Sequence, residues 1–154
     1  MSSTSEPESR FAPRVTVATI VPRDGRFLFV EEWVGEQLML NQPAGHLDAH
    51  ETLAHAAVRE TREETGWQVE IEHLVAIYQY DAADVSFVRF TFAAKALHHD
   101  PMRVLDVGIT RALWLSRDEL IAHAAPHRSP MVLAGLDVYL AGARHPLAVL
   151  RGVP

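Results

Sequence analysis

Gly45 to Trp67, GHLDAHETLAHAAVRETREETGW, is the stretch whose reading decides the fold. Within it Glu60, Glu63 and Glu64 stand at i, i+3 and i+4, directly after Arg59 and shortly before Gly66. On a helix this spacing sets all three carboxylates along one ridge. Like charges at those separations repel, so helix stability alone does not select them. A hard divalent cation, Mg²⁺ or Mn²⁺, reverses the sign: it binds clustered carboxylate oxygens and completes its shell with phosphate. The pattern implies metal-dependent chemistry on a phosphate compound.

The same stretch marks both ends of its helix. Asp48 and Glu51 read as a capping box, and Gly66 as the left-handed residue that closes the last turn. Between them Leu53, Ala54, Ala57, Val58 and Thr61 gather on one side at about 100° per residue. Glu60 and Glu64 project beside that stripe, while Glu63 and Arg59 lie further around. Carboxylates so close to a core are costly unless paired, hydrogen-bonded or metal-bound, which counts against a solvated charge run.

Upstream, Val15–Val21 and Phe27–Glu32 are rich in β-branched and aromatic residues, and Pro22-Arg23-Asp24-Gly25 between them is a turn signal, so the pair reads as a hairpin. Leu38–Leu40 is a short strand ending at the loop Asn41-Gln42-Pro43. Downstream, Leu74–Tyr80 and Val85–Leu97 read as strands joined by a loop carrying Asp81 and Asp84, and Arg111–Leu115 as another. Ser116 with Glu119 forms a second capping box. Ser129-Pro130 opens a last helix in N-cap and N1 order, running to about Ala143. The natural architecture is an α/β fold, a mixed sheet covered by helices; no G-x-G-x-x-G follows the first strand, so it is not a Rossmann unit.

With 154 residues, 48% of them apolar, the chain is long enough for one core. The expected organisation is a flexible N-terminal tail over residues 1–12 and a single domain over 13–154. A net charge of −6 without a basic patch argues against nucleic acid, and a polyphosphate substrate then requires cations at its site. The absence of cysteine excludes disulfides, thiolate metal sites and a thiol nucleophile. No apolar run reaches membrane-helix length and no signal peptide is visible, so a soluble cytoplasmic protein is expected.

The box G-x5-E-x7-R-E-U-x-E-E-x-G-U, with U usually a bulky aliphatic, is the signature of the Nudix hydrolases. Gly45, Glu51, Arg59, Glu60, Glu63, Glu64 and Gly66 fill its fixed positions, while Thr61 and Trp67 depart from the aliphatic pattern as packing variations. Val15–Ala18, Asn41–Leu47, Arg89-Phe90 and Arg128–Pro130 resemble the NudJ-type phosphatases of that family. The resemblance implies a Nudix-type α/β/α sandwich and hydrolysis of nucleoside diphosphates linked to another group. For the NudJ type it implies phosphate release from nucleoside di- and triphosphates and action on hydroxymethylpyrimidine pyrophosphate. It further implies Glu60 and Glu64 as principal metal ligands and Glu63 as a further ligand or the base. The Gly45 carbonyl would complete the site, Arg59 would orient the glutamates, and Glu51 would stabilise the helix start. Mg²⁺ is the implied cofactor, with Mn²⁺ as a substitute.

Outside the box, Asp106 is the foremost candidate base, ahead of Asp81 and Asp84. Arg89, amid apolar neighbours in a strand, either reaches a substrate phosphate or pairs with an acid on the sheet. Arg128 near a helix start is a phosphate contact or a surface residue, and His46 stands beside Gly45 within reach of the site. The other histidines lack ligand spacing, and with no H-E-x-x-H a zinc site is not expected. Tyr78, Tyr80 and Trp33 are stacking or core residues. Substrate selection is expected from Trp33–Leu40 and His98–Thr110. The expected partner is a small nucleotide or pyrophosphate, with no membrane, acting on a monomer or homodimer. The competing readings are an ADP-sugar or dinucleoside polyphosphate pyrophosphatase, a nucleotide-pool sanitising enzyme, and a non-catalytic nucleotide-sensing module.

Overall fold

In the computed structural model, which describes residues 10–153, the chain runs through β1 (Arg14–Ile20), β2 (Pro22–Arg23), β3 (Arg26–Val34), β4 (Gln37–Asn41), β5 (Ala44–His46), α1 (Leu53–Thr65), β6 (Trp67–Asp81), β7 (Ser86–His99), β8 (Ile109–Leu115), α2 (Arg117–Ala122) and α3 (Met131–Leu140), ending on a 3-10 turn, Leu147–Val149. Residues 1–9 of the expected tail lie outside the described residues. β1 is buried from Thr16 onward on both faces, and it is the spine of a mixed sheet ordered β5-β1-β7-β6 in which β1 and β7 run parallel. The second sheet holds β2, β3 and β4, with β8 on the free edge of β3.

α1 packs on one face of the first sheet, where Val17, Ala56, Ala57, Leu74 and Phe92 form a core cluster. α3 covers the opposite face, where Val132 and Leu136 join Ile20, Phe29 and Leu40. This is the α/β/α sandwich. Thr61 sits at a box position that usually takes an aliphatic residue, and it is fully buried. Its hydroxyl donates to Ala57 O at 2.7 Å and accepts from the Thr19 hydroxyl at 2.7 Å, so the polar group is satisfied across the α1–β1 contact. Trp67 lies edge-on to Trp114 (5.5 Å, 88°) and stacks on His99 (4.7 Å, 22°).

Three local expectations need correction. The hairpin exists only at its tip: Asp24 (φ 51°) and Gly25 (φ 76°) make a two-residue turn, Pro22 pairs with Phe27, and Arg23 with Arg26. Beyond that tip the strands part, because β1 gives its edges to β5 and β7 while β3 gives its own to β4 and β8. α1 is capped by Thr52, whose side chain accepts the His55 N–H at 3.1 Å; Asp48 is not the cap. Glu51 does accept the Asp48 N–H (2.8 Å), but in the turn that precedes the helix. The last helix has Pro130 rather than Ser129 at its N-cap and ends at Leu140, short of Ala143. The second capping box, Ser116 with Glu119, is present in full. No helix among the described residues is long and apolar enough to cross a membrane.

Candidate active site

β5 crosses in front of α1 and brings Gly45 against Glu60. A Cβ at Gly45 would overlap the Glu60 carboxyl carbon and both of its oxygens, so only glycine lets the carboxylate lie against this backbone. Gly66, at φ 74°, closes α1 through its N–H to Arg62 O, and a Cβ there would lie 2.7 Å from Asp100 O. Both box glycines are therefore demanded by close approach or backbone conformation.

Arg59 organises the acids around it. Its Nε and Nη2 donate to the two Glu51 oxygens (3.0 and 2.6 Å) in a bidentate pair. Nη1 donates to Glu60 at 2.8 Å and Glu63 at 3.2 Å, and Nη2 also reaches the His46 carbonyl at 3.0 Å. The guanidinium holds Glu51 below the ordinary carboxylate range. Glu60 is nonetheless raised, because burial outweighs Arg59, with Glu63 and Asp106 adding like charge. Glu64 is pushed up to about 9, first by burial and then by Glu60, Glu32 and Asp106, although its Oε2 accepts the Ala44 N–H at 3.1 Å.

The three box glutamates do not converge on a single point. Glu60, Glu63 and Asp106 each present an oxygen within 4.8 Å of the others. Asp106 is brought there by the β7–β8 connection, where its N–H donates to Glu63 O at 3.1 Å. Glu64 turns instead into a cavity of about 560 Å³, which Glu60 also lines. Glu60 is thus shared between the carboxylate trio and the cavity. The trio consists of hard oxygen donors and includes no histidine, a donor set that suits Mg²⁺ or Mn²⁺.

Across the cavity stands Arg89. It neighbours Thr16 on the parallel β1–β7 pair and is only 7% exposed. Its Nε and Nη1 have no partner, and no acid lies within ion-pair distance among the described residues, so the alternative of a structural pair on the sheet does not hold. Burial brings Arg89 down to about 10, opposed by Glu32 and Glu64. Arg128 also lines the cavity: its N–H is fixed to Leu40 O at 2.7 Å and its Nε lies 3.4 Å from Glu32. His46 lines the rim with an exposed side chain.

Asp81 ends β6, paired with Ser86, and Asp84 sits on the β6–β7 turn; neither belongs to the trio. Tyr80 lines the cavity, whereas Trp33 is 53% exposed and does not. Neither Trp33–Leu40 nor His98–Thr110 contributes to the cavity wall; the wall is completed instead by Thr16, Glu32, Asn41 and Phe87. One signal for Glu32 was present: the pair Glu31-Glu32 interrupts an apolar strand. Alternation buries Glu31 against Arg111 (Nε to Oε1, 2.9 Å) and leaves Glu32 toward the cavity.

The NUDIX domain model matches residues 10–134 of this chain. Phosphatase NudJ of Escherichia coli strain K12 is 40% identical over 141 residues, covering 91% of this chain and 92% of that protein. A NUDIX hydrolase from Nitrosomonas europaea superposes with a TM-score of 0.89 at 43% identity, covering 92% of this chain and 98% of that one. An ADP-ribose pyrophosphatase from Streptococcus suis shares the fold, with a TM-score of 0.65 at 17% identity over 87% of this chain and 96% of that one. The chain belongs to the Nudix family. It is a hydrolase acting on phosphoanhydride bonds.

Proposed function

We propose that the chain, as a single domain over residues 13–154, is a Mg²⁺-dependent phosphatase. Its substrates would be nucleoside di- and triphosphates and hydroxymethylpyrimidine pyrophosphate, with Mn²⁺ as a substitute metal. The observation that carries this reading is one cavity holding two acids of the box, Glu60 and Glu64, opposite the buried, partnerless guanidinium of Arg89. Similarity along nearly the whole length to a protein called a phosphatase supports phosphate as the product.

In this reading Glu60, which belongs to both the cavity and the carboxylate trio, would hold metal with Glu64 and the Gly45 carbonyl on its cavity side and with Glu63 on its trio side. When bound, the cation withdraws charge from phosphate oxygens and lowers the pKa of coordinated water. Arg59 keeps Glu60 and Glu63 aimed and offsets their repulsion. Asp106, exposed beside Glu60 and Glu63, accepts the proton of the attacking water. Arg89, Arg128 and His46 contact the substrate. Glu51 and Gly66 act at one remove, by fixing Arg59 and the end of α1.

The test is phosphate and pyrophosphate release in Mg²⁺ from nucleoside di- and triphosphates, ADP-ribose, diadenosine polyphosphates and hydroxymethylpyrimidine pyrophosphate, with Glu64→Gln as control. Phosphate from the di- and triphosphates or the pyrimidine compound, lost in the control, is the expected result. Pyrophosphate from triphosphates, or cleavage of ADP-ribose or diadenosine compounds alone, would move the enzyme to another Nudix activity. Binding without turnover would make it a sensor module.

A further inference from the structure

α3 carries a second face, turned away from the core. Pro130, Leu133, Ala134 and Asp137 recur at i, i+3, i+4 and i+7, so they share one side of the helix, while Val132 and Leu136 join the core cluster. Together with His127 these four residues line a groove of about 680 Å³ on the outside of α3. The groove is not separate from the active site. Tyr80, Arg128 and Ser129 line both it and the cavity that holds Glu60 and Glu64, so the two spaces meet at these three residues. The junction is fixed by the backbone: Leu40 N–H donates to Pro126 O at 2.8 Å, and Arg128 N–H to Leu40 O at 2.7 Å.

The two spaces differ in charge. The cavity sets Glu32, Glu60 and Glu64 against Arg89, which suits a phosphate chain carrying its cation. In the groove the one carboxylate, Asp137, is already held through both oxygens by Arg117 (2.6 and 3.1 Å), and that pair offsets its charge. The rest of the outer wall is apolar, apart from the His127 imidazole. His127 Nε2 lies 3.2 Å from Leu120 O; a carbonyl only accepts, so Nε2 donates there and Nδ1 is left for another partner. Arg128, half-exposed, stands where the charged space gives way to the neutral one. A molecule with a polyanionic end and a neutral, partly apolar end matches that sequence of surroundings.

We infer that the outer groove on α3 seats the nucleoside of a nucleotide substrate. The phosphate chain lies in the cavity and passes Arg128, which meets the phosphate nearest the sugar. The base rests on Leu133 and Ala134, and the ribose hydroxyls turn toward Asp137, whose oxygens keep lone pairs beyond those given to Arg117. The inference rests on the hydrolase reading above and adds where the organic end of the substrate is held. None of the residues that line only this groove belongs to the box, so metal binding and nucleoside binding are built on different helices.

The experiment measures binding by calorimetry in Mg²⁺ of methylenediphosphonate and α,β-methylene-ADP, two non-hydrolysable probes that share a phosphate end and differ by the nucleoside. The unaltered protein is expected to bind α,β-methylene-ADP about tenfold or more tighter, through the apolar area that the nucleoside covers. Ala134→Trp fills the groove and touches no residue assigned to metal or phosphate. It should bring the two probes to within about threefold of each other by removing that area, with methylenediphosphonate affinity unchanged. If Ala134→Trp does not fold, Ala134→Gln, a good helix former that also intrudes on the groove, is read for the same loss. Equal binding of the two probes by the unaltered protein, or a preference that survives in the folded variant, overturns the inference, and the hydrolase reading stands as long as ADP still yields phosphate. Release of no phosphate from ADP in Mg²⁺ or Mn²⁺ removes the parent reading and this one with it.

Discussion

Arg59 on α1 serves Glu60 and Arg89 on β7 faces Glu64, and the two differ in how far the protein itself meets their hydrogen-bonding capacity. Arg59 donates to three carboxylates and one backbone carbonyl. Arg89 is the more deeply buried, yet its Nε and Nη1 meet nothing. A buried cation without a partner costs stability, whereas one that binds several acids relieves their mutual repulsion. The first arginine is therefore part of the scaffold, and the second is held at a cost until a ligand arrives.

Replacing each arginine by an apolar residue should separate the two roles. Arg59→Leu releases Glu51, Glu60 and Glu63 at once, and turnover should fall on the order of a thousandfold. The same change should cost on the order of 2–3 kcal/mol in denaturant unfolding, because acids are left buried without their cation. Arg89→Met should lower kcat/KM about a hundredfold and leave stability unchanged or raise it by about 1 kcal/mol. A large stability loss in Arg89→Met would mean that the folded chain already satisfies Arg89, and the contrast would fail.

Asp106 sharpens the distinction between positioning and chemistry. It stands with Glu60 and Glu63 but makes no side-chain bond to Arg59, so Asp106→Asn removes a charge without loosening the scaffold. Turnover should drop about tenfold to a hundredfold with Tm nearly constant, the range usual for loss of a general base. Near-normal turnover would leave Glu63 as the base.

Much of this site was legible because its spacing is dictated by one helix. Glu60, Glu63, Glu64, Arg59 and Gly66 are local in sequence, and a single period places them. The cavity wall was not legible, since Thr16, Glu32, Asn41 and Phe87 come from four strands in two sheets. The departure of β1 from β3 was hidden for the same reason, because strand partners are set by long-range burial. β6 begins at Trp67, seven residues before the expected start, and three register shifts between β6 and β7 blur the period-two pattern there.

Glu64 extends the comparison from cations to acids. Its carboxyl is pushed up to about 9 from 4.5, so the folded state holds this proton more tightly than the unfolded chain does. Between those values the unfolded chain binds fewer protons, and stability falls as pH rises. In EDTA the protein should be more stable at pH 5.5 than at pH 8.5. Glu64→Gln should flatten that slope and stabilise the protein at pH 8.5. At about 1.4 kcal/mol per unit, discounted for screening, the gain is on the order of 1–3 kcal/mol. A variant less stable than the parent at pH 8.5 would show that the Ala44 N–H outweighs desolvation.

The smallest effect is expected where the two helix starts can be compared directly. Asp48-x-x-Glu51 and Ser116-x-x-Glu119 share one sequence pattern, and in both the glutamate accepts the N–H three residues back. In α2 the reciprocal bond also forms, Ser116 Oγ accepting the Glu119 N–H at 3.1 Å, and the box caps the helix. Glu119 is held down to about 2, chiefly by Arg26, which makes this a structural contact at the surface. Before α1 the pattern is diverted: Thr52 takes the cap, and Glu51 is left to bind Arg59 through both oxygens. Ser116→Ala should therefore cost about 1 kcal/mol of stability and leave kcat unchanged. Glu51→Gln should lower kcat through Arg59 while the α1 cap on Thr52 survives. If Ser116→Ala slowed turnover as Glu51→Gln does, the two boxes would be serving one purpose, and the division between scaffold and site would have to be drawn elsewhere.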